Sequence, residues 1–364
     1  MRILLATDAW SPQVNGVVRT WQQTIRELAA MGHEVEVLHP ALGRTIAAPR
    51  YNEIRLALAP WRIVGRAMEQ SFDAVHIATE GPIGFETRRR CESRSVPYTT
   101  SYHTQFPEYL KQYFGMPRRI TWRFMRWFHG GARATLAPTQ RVTDQLRAHG
   151  IARATTWCRG VDTGLFRPIE SALFASLPRP IHLYAGRIAR EKNIDAFIDA
   201  KLPGSKVVVG DGPERERLER AHPEIVFAGY RFGEELAAHY AAADLFVFPS
   251  RTDTFGIVML EANACGLPVA AYPVTGPIDV VREGVNGALD EDLAVAAARA
   301  LQVPRDSCLA HARSQSWRRV AEVLLAHLAP IGLRDGTAPS HDPKNPNARP
   351  LSDANTGSVV STRP

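Results

Sequence analysis

Two acidic residues flank the start of a predicted helix in the segment SRTDTFGIVMLEANACG, which spans residues 250–266. Asp253 falls in the loop after an apolar strand, and Glu261 falls about one and a half turns inside the helix that begins at Gly256. Helical side chains lean toward the helix N-terminus, whose unpaired N–H groups attract anions. We therefore expect both carboxylates to contact one ligand, with Glu261 placed more deeply. The alternative is a helix-capping Asp253 and a solvated Glu261, which fits poorly with the apolar residues around Glu261.

Cations and glycines follow other predicted strands. Arg187 and Lys192, in GRIAREKNID, lie at a strand end and a helix start, where a planar guanidinium and a mobile ammonium suit a pyrophosphate group. Gly16, in SPQVNG, and Gly212, in GDGPERE, allow a ligand to approach the backbone closely. His103 follows a further strand near its polar end. Each pattern alone has an ordinary structural interpretation, such as an exposed arginine or a histidine that only packs.

The elements that must position these residues alternate between strands and helices. RILLATDAW, VVRTWQQTIRELAAMG and HEVEVLHP read as strand, helix and strand, and the alternation restarts at IHLYAG, residues 181–186. This pattern predicts two doubly wound α/β domains, each with a parallel sheet covered on both faces. Ligands bind beyond the carboxyl ends of strands in such sheets, which is where the candidate residues lie.

The predicted boundaries follow the Gly- and Pro-containing linker CRGVDTGLFRPIE at residues 158–170. Residues 1–168 form the first domain and residues 169–306 the second. A final helix over about 307–329 carries an apolar stripe, and we expect the segment 307–330 to pack back toward the first domain. Residues 331–364 contain Pro, Gly, Ser and Asn but few residues for a core, so we expect them to be disordered.

The composition is that of an ordinary soluble globular protein, with 45% hydrophobic and 22% charged residues among 364. The chain shows neither a signal-peptide pattern nor an apolar run of about 18 residues, so we expect no spanning helix. Four scattered cysteines fit a reduced, cytoplasmic setting. The net charge of +7 favours acidic partners, and an arginine-rich genomic composition explains it equally well.

Seven segments, taken in order, carry a resemblance to a known family: PQVNGVVRT, SYHTQFPEY, RGVDTGLFRP, GRIAREKNID, VVVGDGPERERLE, ADLFVFPSRTDTFGIVMLEANACGLPVAA and VREGVNGALDEDLA. The sequence resembles the family 4 retaining glycosyltransferases of the GT-B fold from residue 1 to about residue 329. Within that family it looks like the lipid-directed mannosyl-, sulfoquinovosyl- and glycosyl-diacylglycerol transferases. The resemblance implies a hexosyltransferase with a UDP- or GDP-sugar donor and a lipid acceptor.

The resemblance also implies a role for each candidate. Arg187 and Lys192 would neutralise the donor diphosphate, Glu261 would hold the ribose hydroxyls, and Asp253 and His103 would contact the hexose. The remaining residues expected at the donor are Gly16, Gly212, Tyr230, Phe255, Gly256, Ile257 and Val258. Catalysis would then be electrostatic, with the leaving diphosphate accepting the acceptor's proton at the same face of the sugar.

One position departs from the family pattern, which has glutamate where this chain has Asp253. Aspartate is shorter by roughly 1.5 Å, and a misplacement of about 1 Å can cost about a hundredfold in rate. A similar TDTFG segment in the lipid-directed members makes this a subgroup trait that bears on the donor sugar. We expect no metal and no cofactor, because the Asp-x-Asp triplet at residues 290–292 precedes a helix and is explained by capping.

A basic and aromatic stretch at residues 111–134 suggests how a lipid acceptor is reached. On a helical wheel Arg119, Arg123 and Arg126 share one side, and aromatic residues that include Trp127 share another. Such a helix can lie in an anionic membrane surface, with Trp122 also expected there. A core helix with a solvated basic face is the alternative. We therefore expect a cytoplasmic protein bound peripherally to the inner face of the cell membrane.

Other classes fit the sequence less well. A nicotinamide dehydrogenase should show G-x-G-x-x-G after the first strand, and TDAWSPQVNG lacks it. A sugar-nucleotide epimerase of the same fold, or a transferase with a soluble or polysaccharide acceptor, would share the donor site. A nucleic-acid-binding protein would explain the charge but not the register of Arg187, Lys192 and Glu261, so we expect no nucleic-acid partner.

Overall fold

The first lobe is built on a parallel sheet whose spatial order is β2-β1-β5-β6-β7-β8. Its strands are β1 (Arg2–Ala6), β2 (Glu34–Leu38), β5 (Ala74–Ile77), β6 (Thr99–Ser101), β7 (Thr135–Ala137) and β8 (Ala154–Thr156). A separate antiparallel hairpin joins β3 (Thr45–Ala48) to β4 (Tyr51–Ala57). The sequence pattern predicted the parallel sheet but not the hairpin or β8.

Helices cover both faces of this sheet. They are α1 (Gly16–Ala30), α2 (Pro60–Ala67), α3 (Pro82–Ser93), α4 (Arg118–Gly130) and α5 (Gln140–Ala148). The start of α1 is fixed by Asn15, whose side-chain oxygen accepts hydrogen bonds from the N–H groups of Val17 and Val18, both at 3.0 Å. Its buried face includes Trp21 and Leu28, which pack against the strands.

The second lobe repeats this plan with the strand order β11-β10-β9-β12-β13-β14. Its strands are β9 (Ile181–Ala185), β10 (Ser205–Val209), β11 (Val226–Gly229), β12 (Leu245–Phe248), β13 (Val269–Ala271) and β14 (Gly287–Leu289). Its helices are α6 (Ile194–Asp199), α7 (Arg215–Ala221), α8 (Gly233–Ala242), α9 (Ile257–Ala264), α10 (Pro277–Val280), α11 (Leu293–Ala300) and α12 (Arg305–Arg313). The central strands are buried along their whole length, as parallel strands covered on both faces should be.

The predicted final helix is two helices. After α12, the backbone breaks at residues 314–316, and α13 (Trp317–His327) begins where the Ser316 side chain accepts a hydrogen bond from the N–H of Arg319. Because of this break, the two helices pack against different lobes. Ala312 of α12 packs in the core of the second lobe, whereas Trp317 and Leu324 of α13 pack in the core of the first.

The structure, a computed structural model, describes residues 1–13, 15–48, 51–105, 107–108, 110–111 and 115–331. The predicted disorder of the C-terminal segment therefore falls on residues outside this range, apart from Ile331. That residue is held on the first lobe, because its N–H donates to the carbonyl of Asp73 at 2.8 Å.

Each sheet contains one point at which the strand order reverses along the chain. In the first lobe it lies between β1 and β5, and in the second between β9 and β12. Loops that leave neighbouring strands in opposite directions at such a point open a crevice for a ligand. The loops after β1, β5, β9 and β12 are therefore the places to look for a site.

Candidate functional site

The crevice of the second lobe brings two predicted charged residues into direct contact. Lys192 follows β9, in a short 3₁₀ turn over Arg190–Lys192, and Asp253 lies in the loop after β12. The Lys192 ammonium donates to Asp253 Oδ1 at 2.6 Å. The guanidinium of Arg187 lies 3.4 Å from the carboxylate of Glu191. Both predicted cations therefore have acidic neighbours near the carboxyl ends of β9 and β12.

The second carboxylate oxygen of Asp253, Oδ2, is buried and has no hydrogen-bond partner within the described part of the chain. A buried carboxylate oxygen without a donor costs free energy unless a ligand supplies one. One carboxylate oxygen of Asp253 therefore contacts Lys192, and the other is an acceptor that could bind a hydroxyl group.

Gly256 sets the turn from this loop into α9. Its φ of +84° lies in the left-handed region, and a Cβ there would come within 2.9 Å of the Phe248 ring and 2.7 Å of the Met259 side chain. Only glycine fits both restrictions. The helix that starts after it carries Glu261, which is 3% exposed, so this residue is buried and not solvated, as the apolar residues around it in the sequence predicted.

Glu261 is bound from both lobes. Its Oε1 accepts a charge-assisted hydrogen bond from Arg19 on α1, and its Oε2 accepts from the Tyr240 hydroxyl at 3.2 Å. The carboxylate raises the pKa of Arg19 further above its ordinary value. A carboxylate this deeply buried needs such a partner to stay ionised. The ion pair therefore ties α1 of the first lobe to α9 of the second.

Two more polar contacts join the lobes beside this pair. The Thr254 hydroxyl donates to the His103 carbonyl at 2.7 Å, and the Gln105 side chain donates to the Asp253 carbonyl at 3.5 Å. Ile257 also packs against the core cluster of the first lobe. The loop after β6 and the start of α9 thus face each other across the crevice.

The ring of His103 is held inside the first lobe. Trp21 Nε1 lies 3.0 Å from His103 Nε2, and Arg159 Nη2 lies 3.1 Å from His103 Nδ1. Both neighbours are donors, and a neutral imidazole accepts at one nitrogen only, so one of the two contacts is a hydrogen bond. Burial, together with the charge of Arg159, holds the pKa of His103 well below its ordinary value. His103 is therefore neutral at pH 7 and fixed by its neighbours.

Asp8 occupies the matching crevice of the first lobe, two residues after the end of β1. Its carboxylate accepts from the N–H groups of Ile83 and Gly84 at 2.9 and 3.2 Å and from the Thr79 hydroxyl at 3.0 Å. Burial nevertheless raises the pKa of Asp8 to about 6. The residue thus links the ends of β1 and β5 to the N-terminus of α3.

The other residues predicted at the donor differ in exposure and in the open space beside them. Gly16 opens α1, and a Cβ there would meet no atom within 4 Å, so the space beside it is open. A Cβ on Gly212 would come within 2.3 Å of the Ile188 carbonyl, so this glycine serves close packing of two loops. Tyr230 is 41% exposed and stacks on Phe232. The side chains of Phe255 and Val258 pack in the second-lobe core.

The prediction that Trp122 lies on the membrane-facing surface of α4 is wrong. Trp122 is 6% exposed and stacks on His149 at 3.8 Å between ring centroids, so it belongs to the core between α4 and α5. Trp127 is 45% exposed, and the three arginines of the predicted basic side, Arg119, Arg123 and Arg126, are exposed as well. Within the described residues, no helix is long and apolar enough to cross a bilayer.

The acidic triplet at residues 290–292 stabilises local structure. Asp292 Oδ1 accepts from the Ala294 N–H at 2.8 Å and caps α11, and Asp290 pairs with Arg299 at 3.3 Å. In the part of the chain that the structure describes, no three His, Cys, Asp or Glu side chains are grouped so as to hold a metal ion.

Three residues of the site escaped the sequence analysis. Arg19 lies about one helical turn after Gly16 in GVVRT, and Asp8 lies two residues after the end of β1, so the positions of both in the sequence indicated a possible role. Arg159 lay in the segment interpreted as a linker. Its buried guanidinium donates to the Trp157 and Cys158 carbonyls at 2.5 and 3.1 Å, and burial lowers its pKa to about 9.

Comparison with known proteins agrees with this arrangement. The profile described as Glycosyltransferase Family 4 matches residues 14–165, and the profile described as Glycosyl transferases group 1 matches residues 179–303. Among solved structures, sucrose-phosphate synthase from Thermosynechococcus elongatus is similar, with a TM-score of 0.73 at 20% identity over 89% of this chain and 97% of that one. The two facing lobes are therefore those of a GT-B fold, as predicted.

Curated relatives extend the likeness along the chain. A GDP-mannose-dependent alpha-mannosyltransferase of Mycobacterium tuberculosis is 31% identical over 93% of this chain and 98% of its own length. Sulfoquinovosyl transferase SQD2 of Arabidopsis thaliana is 32% identical over 75% of this chain and 60% of its own length. Alpha-monoglucosyldiacylglycerol synthase of Acholeplasma laidlawii is 23% identical over 79% and 84%. The chain belongs to glycosyltransferase family 4 and is a hexosyltransferase that uses a nucleotide-linked sugar.

The inter-lobe ion pair gives a first prediction. Changing Arg19 to Met leaves the Glu261 carboxylate buried with only Tyr240, so we expect a loss of about 3 kcal/mol in the free energy of unfolding, measured with urea. Arg26→Met, on the same helix, removes an arginine that is 70% exposed and lies 3.6 Å from Asp162, and we expect it to cost less than about 1 kcal/mol. Equal losses in the two variants would contradict the importance of the pair.

A second prediction concerns pH. The pKa of Asp8 is raised on folding, so its contribution to stability is present at low pH and is lost as pH rises through about 6. Asp8→Asn cannot titrate. We therefore expect the stability of the wild type, relative to this variant, to fall by about 2 kcal/mol between pH 4.5 and pH 7. Chemical unfolding of both proteins across this range measures the change, and a difference independent of pH would refute it.

Proposed function

We propose that the protein transfers a hexose, with retention of anomeric configuration, from a nucleoside diphosphate sugar to a hydroxyl group of a membrane lipid. GDP-mannose is the favoured donor, because the mannosyltransferase relative matches nearly the whole chain. The proposal rests on the contact between Lys192 and one carboxylate oxygen of Asp253, whose other oxygen has no partner within the described residues. Both residues lie where the second-lobe sheet reverses its strand order. A sugar hydroxyl and a diphosphate are the groups that such a pair would bind together.

Electrostatic stabilisation would drive the reaction. As the sugar–phosphate bond breaks, negative charge grows on the leaving diphosphate, and Lys192 and Arg187 supply the positive charge that offsets it. Lys192 is well suited to this role because Asp253 fixes its ammonium in the unliganded protein, so little reorganisation is needed. The diphosphate would also accept the proton that leaves the acceptor hydroxyl, which requires no separate base.

Glu261 would bind the nucleoside end of the donor. Its oxygens each accept one protein hydrogen bond, from Arg19 and from Tyr240, and a carboxylate oxygen has lone pairs for a second donor. Two ribose hydroxyls can therefore bind without displacing either partner. His103 is neutral and fixed, so its role would be to shape the sugar pocket rather than to exchange a proton.

The acceptor would be delivered by the surface of α4. Ile120 is 59% exposed and Trp127 is 45% exposed, and Phe85 of α3 lies beside Trp127 with ring centroids 5.5 Å apart and is 43% exposed. Exposed arginines border these apolar groups. Apolar side chains among cations are suited to an anionic lipid interface. We propose peripheral attachment of a cytoplasmic enzyme through this surface, with transfer that needs no metal.

The third prediction tests the reaction. Lys192→Ala should lose about 2–4 kcal/mol of transition-state stabilisation, roughly 30- to 1000-fold in kcat, because one charge at the leaving group is removed. Lys201→Ala, at an exposed position of the same lobe, is the matched control and should keep its rate. Rates are measured with GDP-mannose and with UDP-glucose, and NMR of the product gives the anomeric configuration. Wild-type turnover by Lys192→Ala, or an inverted product, would refute the proposal.

The fourth prediction tests the membrane surface by flotation with anionic vesicles. The triple variant of Arg119, Arg123 and Arg126 to Ser, and separately Trp127→Ser, should each reduce the bound fraction at least threefold, because charge attraction and apolar insertion both contribute. The matched control changes three exposed arginines of the second lobe to Ser: Arg190, Arg217 and Arg220. Equal binding by all variants, or none by the wild type, would count against this surface.

A further inference from the structure

A second polar cleft lies between the lobes, beside the loop that carries Asp253. Its volume is about 450 Å³, and its lining residues are Gln105, Glu108, Lys111, Arg118, Arg251 and Thr252. The first four belong to the first lobe and the last two to the second. Arg187, Lys192 and Glu261 are not among the described residues that line it, so the cleft is separate from the groups assigned to the donor.

The lining carries three cations and one carboxylate. Arg118 Nε donates to Glu108 at 2.9 Å, which neutralises one of the cations within the cleft. Arg251 pairs with Glu291, with both terminal nitrogens 3.1 Å from one oxygen, but these side chains are 44% and 69% exposed. An ion pair this exposed is weak, so a ligand can compete for the guanidinium. Lys111 has no ion pair within the described part of the chain, which leaves the cleft positive.

Arg251 is also held in position. Its guanidinium stacks over the Tyr272 ring at 3.6 Å, so its planar group is oriented before any ligand arrives. A fixed guanidinium and a lysine ammonium that line the same cleft suit an oxyanion such as a carboxylate or a phosphate. Because Lys111 and Arg251 come from different lobes, such an anion would be bound between them.

The cleft adjoins the proposed reaction centre and the proposed membrane surface. Thr252 directly precedes Asp253, and Gln105 donates to the Asp253 carbonyl. Arg118 is the first residue of α4, whose exposed face would lie on the lipid. A lipid headgroup that enters from α4 therefore passes these cations before it reaches Asp253.

We infer that this cleft binds a negatively charged group on the acceptor, so that the enzyme selects lipids with an anionic headgroup. The inference rests on the proposed function, because it assumes that the acceptor hydroxyl reacts beside Asp253. The anion is a carboxylate or a phosphate, and both would be bound by the same charge-assisted hydrogen bonds.

The test uses three octyl glycosides of the same sugar ring that differ only in the group attached to C5: a hydroxymethyl group, a carboxylate, or a hydroxymethyl group phosphorylated on O6. We expect the wild type to prefer at least one charged acceptor over the neutral one by tenfold or more in kcat/KM. Lys111→Gln and Arg251→Gln should each reduce that preference at least fivefold, and Arg220→Gln, at an exposed position of α7, should keep it. The charged acceptor that is preferred shows whether the cleft binds a carboxylate or a phosphate more strongly.

The donor provides the second measurement. Affinity for the nucleoside diphosphate, measured by calorimetry, should be unchanged in Lys111→Gln and Arg251→Gln. Parallel loss of nucleotide affinity would assign the cleft to the donor and overturn the inference. Equal use of all three acceptors by the wild type, or transfer to none of them while the donor is hydrolysed, would also overturn it. Failure to turn over any donor would instead refute the proposed function.

Discussion

The buried carboxylate of Glu261 is the constraint on which the arrangement of the two lobes depends. Removing a carboxylate from water costs several kcal/mol unless an opposite charge and good hydrogen bonds replace the solvent. The second lobe provides a tyrosine, and the positive charge comes from Arg19 in the first lobe. The lobes must therefore be close together for this carboxylate to be buried. If Glu261 binds the ribose, closure of the lobes and completion of the donor site are one event.

The charges of the site are arranged so that the unliganded protein is already neutralised. Lys192 contacts Asp253, and Arg187 lies near Glu191, so each cation that would bind the diphosphate has an acidic neighbour. A donor sugar brings phosphates to the cations and hydroxyl groups to the acids. These contacts add to the internal ones, so binding does not leave a buried charge unpaired. The second carboxylate oxygen of Asp253 is a buried acceptor that already lacks a partner within the described residues.

The sequence predicted the elements better than their contacts. Parallel sheets and the loops at their ends follow from hydrophobic periodicity, which is local. Arg19 and Glu261 are 242 residues apart, and no local pattern indicates that they meet. Both Arg119 and Trp127 are exposed, but the helical wheel could not show which face α5 would cover, so Trp122 was wrongly placed on the exposed surface. β8 is three residues long and only partly buried, which leaves too little pattern to recognise.

The cations of the proposed donor site are less exposed to solvent than those of the proposed acceptor cleft. Arg187 and Lys192 have side chains that are 22% and 24% exposed, whereas those of Arg118 and Arg251 are 51% and 44% exposed. Charges open to solvent are screened by salt over roughly 8 Å at physiological ionic strength, and buried charges are screened much less. The inner cations can therefore act on charge that develops during the reaction. The outer cations are suited to capturing and orienting an anionic lipid, which must leave again once it has been glycosylated.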